Sequence, residues 1–183
     1  MSDMVVETLI AIVGLPASGK STAIEAIRKF GPIVVMGDVI REEVMKRSMV
    51  PNPENNGLIA KELRTEFGKD IIARKCVEKI NDIHYPTVFI DGIRSREEVE
   101  VFRENWKVYV IAITCPNEVR FARIKRRGRS DDPKDIQTIQ ERDLRELKFG
   151  LGDVIEHADY TIENNAEIER FQIKVQNLVR GLF

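Results

Sequence analysis

The sequence predicts an α/β fold in which helices flank a five-stranded parallel sheet. Short apolar runs rich in Val, Ile and Thr recur along the chain, and longer segments with helical apolar spacing separate them. This alternation is typical of parallel sheets, because each connection between parallel strands usually contains a helix. A single domain is expected, since no repeat or linker divides the 183 residues. The five strands are predicted at residues 8–13, 33–36, 87–90, 108–114 and 159–162.

A glycine-rich loop follows the first predicted strand directly and fits the P-loop pattern G-x-x-x-x-G-K-[ST]. At such a turn, backbone N–H groups and the dipole of the next helix converge on an anion. Lys20 is expected to reach the β- and γ-phosphates of ATP, and the Ser21 hydroxyl is expected to ligate Mg²⁺. The residues expected to bind the nucleotide are Gly14, Leu15, Pro16, Ala17, Ser18, Gly19, Lys20, Ser21 and Thr22.

Polar residues follow the second and third predicted strands. Asp91 ends the third strand, where an acidic residue positions the metal in P-loop enzymes, and it is expected to hold Mg²⁺ through water. Arg41 and Arg94 stand just past the two strand ends, where open α/β sheets bind ligands. Since a guanidinium group binds phosphate bidentately, the pair is suited to clamp the phosphate of a second substrate. For either arginine alone, a solvated position on a helix is the competing interpretation.

Two segments between the strands carry further expectations. Residues 39–80 are predicted to form two or three helices, broken at residues 51–53 and near Gly68, and this insertion is expected to carry a substrate site. Residues 120–129 contain six basic side chains and no acidic one. Three interpretations compete for this basic segment: a solvated amphipathic helix, a nucleic-acid patch, and a lid that closes over transferring phosphates.

These segments together resemble adenylate kinases and related nucleoside monophosphate kinases over most of the chain. Residues 37–41 are similar to the family's G-D-x-[LI]-R segment, and residues 91–94 are similar to its D-G-[FY]-P-R segment, with Ile93 in place of the proline. Residues 116–127 repeat the spacing P-x6-R-x3-R of the family's lid, and residues 129–132 resemble its R-x-D-D segment.

The resemblance implies one kinase domain over residues 1–183, with a helical acceptor-binding insertion at 38–80 and a short basic lid at 120–135. It implies that Arg41 and Arg94 bind the acceptor monophosphate, and Asp38 is expected to contact the substrate as well. The lid is short and has none of the four zinc ligands of some bacterial relatives. The residues implied to act on the transferring phosphoryl group are Lys20, Arg123, Arg127, Arg129 and Arg142.

Two features depart from the adenylate kinase pattern. Glu98 stands where the family has its adenine-reading glutamine, and a carboxylate suits either the amino group of adenine or the two donors of guanine. Residues 158–165 resemble the A-D-[YF]-x-I-x-N-[ND] ending of dephospho-coenzyme A kinases and other small-molecule P-loop kinases. A divergent, archaeal family related to adenylate kinases is expected to show this mixture.

Composition excludes some classes of partner. The 29 Lys and Arg residues nearly balance 30 Asp and Glu residues, so no overall field attracts nucleic acid or anionic lipid, and neither partner is expected. Cys76 and Cys115 form no C-x-x-C pair and are expected to be buried, reduced thiols. No apolar run is long enough to span a bilayer, and a cytoplasmic location is predicted.

The predicted function is ATP-dependent phosphoryl transfer to a small phosphorylated acceptor, with a nucleoside monophosphate such as AMP favoured. One alternative is a hydroxyl acceptor such as dephospho-coenzyme A, with Asp38 as the general base. The other is a regulator that binds a nucleotide and a protein partner. The chain has no N-K-x-D guanine signature, which disfavours a GTPase switch, and a regulator does not need two arginines at acceptor positions.

Overall fold

The fold is built on a five-stranded parallel sheet. The computed structural model describes residues 5–127, 135–165 and 167–183. The order across the sheet is β2-β3-β1-β4-β5, and every neighbouring pair is parallel. The predicted α/β class and strands are confirmed, with bounds that differ by one residue at most. The strands are β1 (Thr8–Val13), β2 (Ile33–Val35), β3 (Thr87–Asp91), β4 (Lys107–Thr114) and β5 (Tyr160–Glu163).

Helices connect the strands and cover both faces of the sheet. Within the described residues they are α1 (Lys20–Ile27), α2 (Met36–Lys46), α3 (Pro53–Phe67), α4 (Ile71–Asn81), α5 (Arg96–Arg103), α6 (Asn117–Arg127), α7 (Ile136–Lys148), α8 (Leu151–Glu156) and α9 (Ile168–Arg180). None of these described helices combines the length and the apolar composition needed to cross a membrane.

The central strand β1 separates two apolar cores. Leu9 and Ala11 belong to the core that includes residues of α2, α3, α4, α5 and α8, whereas Ile10 and Ile12 belong to the core with α1 and α9. A strand buried on both faces has few polar positions, which explains its nearly continuous apolar sequence. Cys76 is buried, as predicted, and burial raises the pKa of its thiol to about 12, whereas Cys115 is only partly buried.

Three helices, α2, α3 and α4, occupy the insertion between β2 and β3. Helix α2 begins at Met36, directly after β2, so the strand is one residue shorter than predicted. Helix α3 begins at Pro53, where the Asn52 side chain accepts a hydrogen bond from the backbone N–H of Asn55 at 2.8 Å. It ends at Phe67, directly before Gly68, whose φ of +100° favours glycine. The two predicted breaks in the insertion are therefore confirmed.

The register of the sheet brings the functional segments to one edge. Asp91 of β3 pairs with Ile12 of β1 on one side and with Val35 of β2 on the other. The P-loop, the start of α2 and the segment after β3 therefore leave the sheet side by side. Gly14 makes the exit from β1 possible, because a Cβ there would lie 2.4 Å from the carbonyl oxygen of Ile113.

Candidate active site

A cavity of about 670 Å³ lies at the carboxyl ends of the strands and extends from the P-loop to helices α3 and α7. Most of the residues that were predicted to contact a ligand line this cavity. They are Gly14, Pro16, Ala17, Gly19, Lys20, Ser21, Thr22, Asp91, Arg94, Arg123 and Arg142. Those that do not line it are Leu15, Ser18, Asp38, Arg41 and Glu98. Arg129 and the side chain of Arg127 lie outside the described part of the chain.

The Lys20 ammonium lies against the P-loop itself. Its Nζ donates hydrogen bonds to the carbonyl oxygens of Gly14 at 2.7 Å and Leu15 at 3.2 Å. Burial lowers the pKa of Lys20, and the carboxylates of Asp91 and Glu146 oppose that shift. The amine is therefore held against the backbone of the loop by two carbonyl partners.

Asp91 and Ser21 contribute a carboxylate and a hydroxyl to the lining of the same cavity. Burial raises the pKa of Asp91, while the charges of Lys20 and Arg94 lower it. A carboxylate and a hydroxyl are hard oxygen donors of the kind that Mg²⁺ uses together with phosphate oxygens. The two residues fit a magnesium site completed by a nucleotide. Among the described residues, no group of three or more His, Cys, Asp and Glu side chains forms a separate metal site.

Asn164 fastens the segment after β5 to the P-loop. Its Nδ2 donates to the carbonyl oxygen of Ser18 at 2.7 Å, and its Oδ1 accepts a hydrogen bond from Arg123 Nη2 at 3.3 Å. A Cβ at Gly19 would lie only 2.0 Å from Asn164 Nδ2, so this contact requires glycine there. Asn164 is 5% exposed and lines the cavity. The segment shows a family resemblance in sequence, but no role was predicted for this residue.

Arg120 is the first residue of the predicted basic lid, yet it is a buried link to the P-loop. Its Nη1 donates to the carbonyl oxygen of Pro16 at 2.9 Å. The two Nη atoms also donate to Asp143 of α7, at 3.2 Å to Oδ1 and 2.5 Å to Oδ2. Arg120 is 1% exposed. Helices α6 and α7 are thereby joined to each other and to the loop.

Arg41 and Asp38 pair with each other at the surface. Arg41 Nε lies 3.0 Å from Asp38 Oδ1, and the two side chains are 44% and 51% exposed. The guanidinium group packs beside Gly37, which does line the cavity. The structure therefore places both of these predicted substrate-binding residues beside the cavity, outside its lining.

Glu98 is buried beneath the cavity. Its carboxylate accepts hydrogen bonds from the backbone N–H of Arg94 at 2.8 Å and from Arg64 Nη2 at 3.2 Å. Its side chain is 1% exposed. Burial raises the pKa of Glu98, and the neighbouring arginines act in the opposite direction. The residue predicted to contact a base thus contacts two protein groups.

Arg64, Arg126 and Glu146 line the cavity and were not predicted from the sequence. Each lies in a helix, and no motif spacing marks it. Glu146 Oε2 is 3.3 Å from Arg94 Nε, so this part of the cavity lining contains an ion pair.

The cavity is positively charged, although the whole chain has a net charge of −1. Among the described lining residues there are six cations and three carboxylates, a local balance of +3. The cations are Lys20, Arg64, Arg94, Arg123, Arg126 and Arg142, and the carboxylates are Asp91, Glu146 and Glu167. This balance favours a ligand with several negative charges.

The sequence is similar to those of several known proteins. A family model described as "AAA domain" matches residues 10–148. A UPF0200 protein of Methanosarcina mazei is 43% identical over 174 residues, which cover 93% of both chains. A UPF0200 protein of Thermococcus onnurineus is 41% identical and covers 95% of this chain and 97% of its own. A UPF0200/UPF0201 protein of Archaeoglobus fulgidus is 46% identical, and this chain spans 55% of its length.

Solved structures are similar in fold. A Thermus thermophilus protein superimposes with a TM-score of 0.64 at 18% identity and covers 97% of this chain and 99% of its own. Shikimate kinase from Bacteroides thetaiotaomicron has a TM-score of 0.59 at 15% identity, with coverage of 94% and 98%. A sugar kinase from Janibacter has a TM-score of 0.52 at 14% identity, with coverage of 96% and 95%. At such identities the likeness shows the fold alone, and the P-loop fold predicted from the sequence is confirmed.

Proposed function

This chain belongs to the AAA domain family and to the UPF0200 family, and we propose that it transfers the γ-phosphoryl group of Mg-ATP to a small phosphorylated acceptor. A nucleoside monophosphate such as AMP is the favoured acceptor. One observation carries the proposal: a single cavity joins the P-loop to Arg94 and Arg142, so that two phosphate-binding regions share one volume.

The donor nucleotide binds at the P-loop in this proposal. Lys20 exchanges its two carbonyl partners for the β- and γ-phosphates, and backbone N–H groups hold the rest of the polyphosphate. Ser21 and Asp91 would hold Mg²⁺, which neutralises charge on the phosphates when it is bound. Arg123, between Ser18 and Asn164, adds positive charge at the donor end.

The acceptor binds at the other end of the cavity, near Arg94 and Arg142. An acceptor phosphate is already anionic, so its attack needs positioning and charge neutralisation more than a general base. The excess of positive charge supports this kind of acceptor. Direct roles for Asp38 and Arg41, and catalytic roles for Arg127 and Arg129, stay predictions, as do an archaeal origin and a cytoplasmic location.

A hydroxyl acceptor, as in dephospho-coenzyme A, is the second candidate function. Its transfer needs a base, and Asp38 does not line the cavity. Glu146 does line it, and the presence of this carboxylate in the lining is the observation that favours the second candidate.

The Glu146→Gln variant distinguishes a phosphate acceptor from a hydroxyl acceptor. A phosphate acceptor keeps its kcat and binds more tightly, because Arg94 loses a competing partner. A hydroxyl acceptor loses kcat by roughly 10²–10⁴-fold.

Labelled ATP and a panel of acceptors test the proposal directly. The panel contains the four common nucleoside monophosphates, dephospho-coenzyme A and the free nucleosides, and the assay identifies which compound becomes labelled. Transfer to a monophosphate is expected. It should be lost in Lys20→Met and kept in Lys174→Met, which changes an exposed lysine of α9. If no acceptor becomes labelled, the kinase proposal is wrong and the regulator becomes the better interpretation.

A further inference from the structure

Arg64 stands apart from the other arginines between β2 and β3. Arg41, Arg47 and Arg74 have side chains that are 35–50% exposed, and each pairs with a carboxylate near the surface. The Arg64 side chain is only 13% exposed. Among the described arginines of the insertion, Arg64 alone lines the cavity. Arg64 therefore contributes a largely buried positive charge to the acceptor side of the cavity.

The contacts of Arg64 fix its position but leave donors available. Nη2 donates to Glu98 at 3.2 Å, and the guanidinium carbon lies 5.7 Å from the centre of the Phe149 ring. Nη1 makes a long contact of 3.5 Å with the carbonyl oxygen of Ala60. A guanidinium group has five N–H donors. Within the described residues, these contacts leave several donors of Arg64 for a ligand in the cavity.

Glu98 connects Arg64 to Arg94. One carboxylate oxygen accepts from Arg64 Nη2, and the other accepts from the backbone N–H of Arg94. Arg64 comes from the insertion, whereas Arg94 follows β3. A single buried carboxylate therefore links the Arg64 side chain to the backbone of Arg94, 30 positions further along the sequence.

The balance of charge points to an oxyanion between these arginines. Arg64, Arg94 and Arg142 line the acceptor side, where Glu146 pairs with Arg94 and buried Glu98 pairs with Arg64. The three guanidinium groups therefore exceed these two carboxylates by one positive charge, which an anion can compensate. A phosphomonoester supplies up to two negative charges and three terminal oxygens, which suits several arginines at once. An uncharged alcohol supplies neither.

We propose that Arg64 binds the phosphate of the acceptor, and that buried Glu98 is a positioning residue that holds Arg64 and Arg94 around this phosphomonoester. The inference rests on the proposed function, because it names ligands for the second substrate. It assigns Glu98 a role in the geometry of phosphate binding, in place of the contact with the base that the sequence predicted.

Equilibrium binding of AMP and adenosine to the whole chain tests the assignment of Arg64. Titration calorimetry compares the native chain with Arg64→Ala, Arg64→Lys and the matched control Arg47→Ala. In Arg64→Ala, loss of an Arg–phosphate interaction is expected to raise the dissociation constant of AMP by roughly tenfold to a hundredfold. The dissociation constants of adenosine and ATP should change by less than about twofold, since neither ligand uses the contact between Arg64 and the acceptor phosphate. Arg47→Ala should leave all three unchanged.

The conservative variant guards against an effect of folding. Arg64→Lys keeps the positive charge but loses the planar, bidentate guanidinium group. The dissociation constant of AMP should therefore rise by an intermediate factor, while the thermal midpoint of unfolding stays close to that of the native chain. The assignment is overturned if AMP affinity is unchanged in Arg64→Ala, or if AMP and adenosine weaken equally. Either result means that Arg64 does not contact the phosphate.

Glu98→Gln tests the positioning role with a different measurement. The amide keeps the size of the side chain but cannot accept at both atoms, so one of the two links is lost. We expect an increase in the KM for AMP, an unchanged KM for ATP, and an unchanged ratio of kcat/KM between AMP and GMP. A changed AMP-to-GMP ratio with an unchanged preference for AMP over adenosine would show that Glu98 contacts the base.

The outcomes distinguish this inference from the proposed function. If the native chain prefers AMP over adenosine through Arg64 but transfers no label, phosphoryl transfer is refuted and the phosphate site stands. If label is transferred but Arg64→Ala binds AMP normally, the kinase proposal stands and the inference fails. A native chain that binds AMP no better than adenosine overturns the inference with or without turnover.

Discussion

Replacing Asp143 by Ala is expected to destabilise the fold by about 3–5 kcal/mol, the usual cost of breaking a buried ion pair. Arg120 is 1% exposed and Asp143 is 8% exposed, and two hydrogen bonds of 3.2 and 2.5 Å join them. The variant leaves the Arg120 charge buried without its carboxylate. At about 2–4 °C per kcal/mol for a chain of this size, Tm should fall by roughly 6–20 °C.

Urea unfolding followed by far-UV circular dichroism measures this change. The slope of the free energy against urea should be unchanged, so that the shift in midpoint gives the loss of stability. The control is Glu25→Ala, which breaks an ion pair with Arg28 whose side chains are 62% and 64% exposed. That variant is expected to cost less than about 1 kcal/mol. Replacing the pair together, as Arg120→Met with Asp143→Leu, should recover part of the stability.

The double replacement cannot recover everything, since Arg120 also donates to the carbonyl oxygen of Pro16 at 2.9 Å and to Asn117 Oδ1 at 2.7 Å. For the same reason Asp143→Ala should weaken ATP binding, because it loosens the support of the P-loop. A loss below about 1 kcal/mol with an unchanged urea slope would refute the reasoning. It would mean that the Arg120 charge finds water once its partner is removed.

The remaining predictions concern the residues proposed to bind the nucleotide and the acceptor. Gly19→Ala should abolish ATP binding in a calorimetric titration, because its Cβ meets Asn164 Nδ2 at 2.0 Å and φ is +115°, and Asn164→Ala in the same chain should restore only part. Arg94→Ala should raise the KM of the acceptor about tenfold or more and that of ATP far less; equal rises would contradict its assignment. Burial lowers the pKa of Lys20, so the free energy of unfolding of the native chain should rise relative to Lys20→Met as pH increases toward 10.5 in a series of thermal scans.

The fold could be predicted because its signals are local in sequence. Apolar runs of strand length alternate with helical spacing, and the P-loop fixes where β1 ends and α1 begins. The small errors have local causes as well. Helix α2 begins at Met36 without an intervening loop, and no residue type marks that change in backbone conformation. Strand β2 therefore ends one residue before the apolar run does.

The site could be predicted where its residues follow strands or, as for Arg123 and Arg142, match the lid of a known family. Lys20, Asp91 and Arg94 line the cavity because the parallel register places their segments side by side. Arg41 also follows a strand, but Asp38 lies three positions earlier on the same helix and pairs with it outside the cavity. Arg64 and Glu146 depend on how α3 and α7 pack, and that packing involves contacts between distant parts of the chain.

In the proposed function, ligands would exchange with contacts that already exist within the cavity. Lys20 is held by two P-loop carbonyl oxygens, Arg94 by Glu146, and Arg123 by the Asn164 amide oxygen. Each cation thus has a protein partner that a phosphate oxygen can replace. Affinity then reflects an exchange of partners, because the energy of each phosphate contact is reduced by the contact it displaces. A cation whose protein partner stays in place after binding gains the most, and Arg64, held at Nη2 by Glu98 with other donors available, is placed in that way.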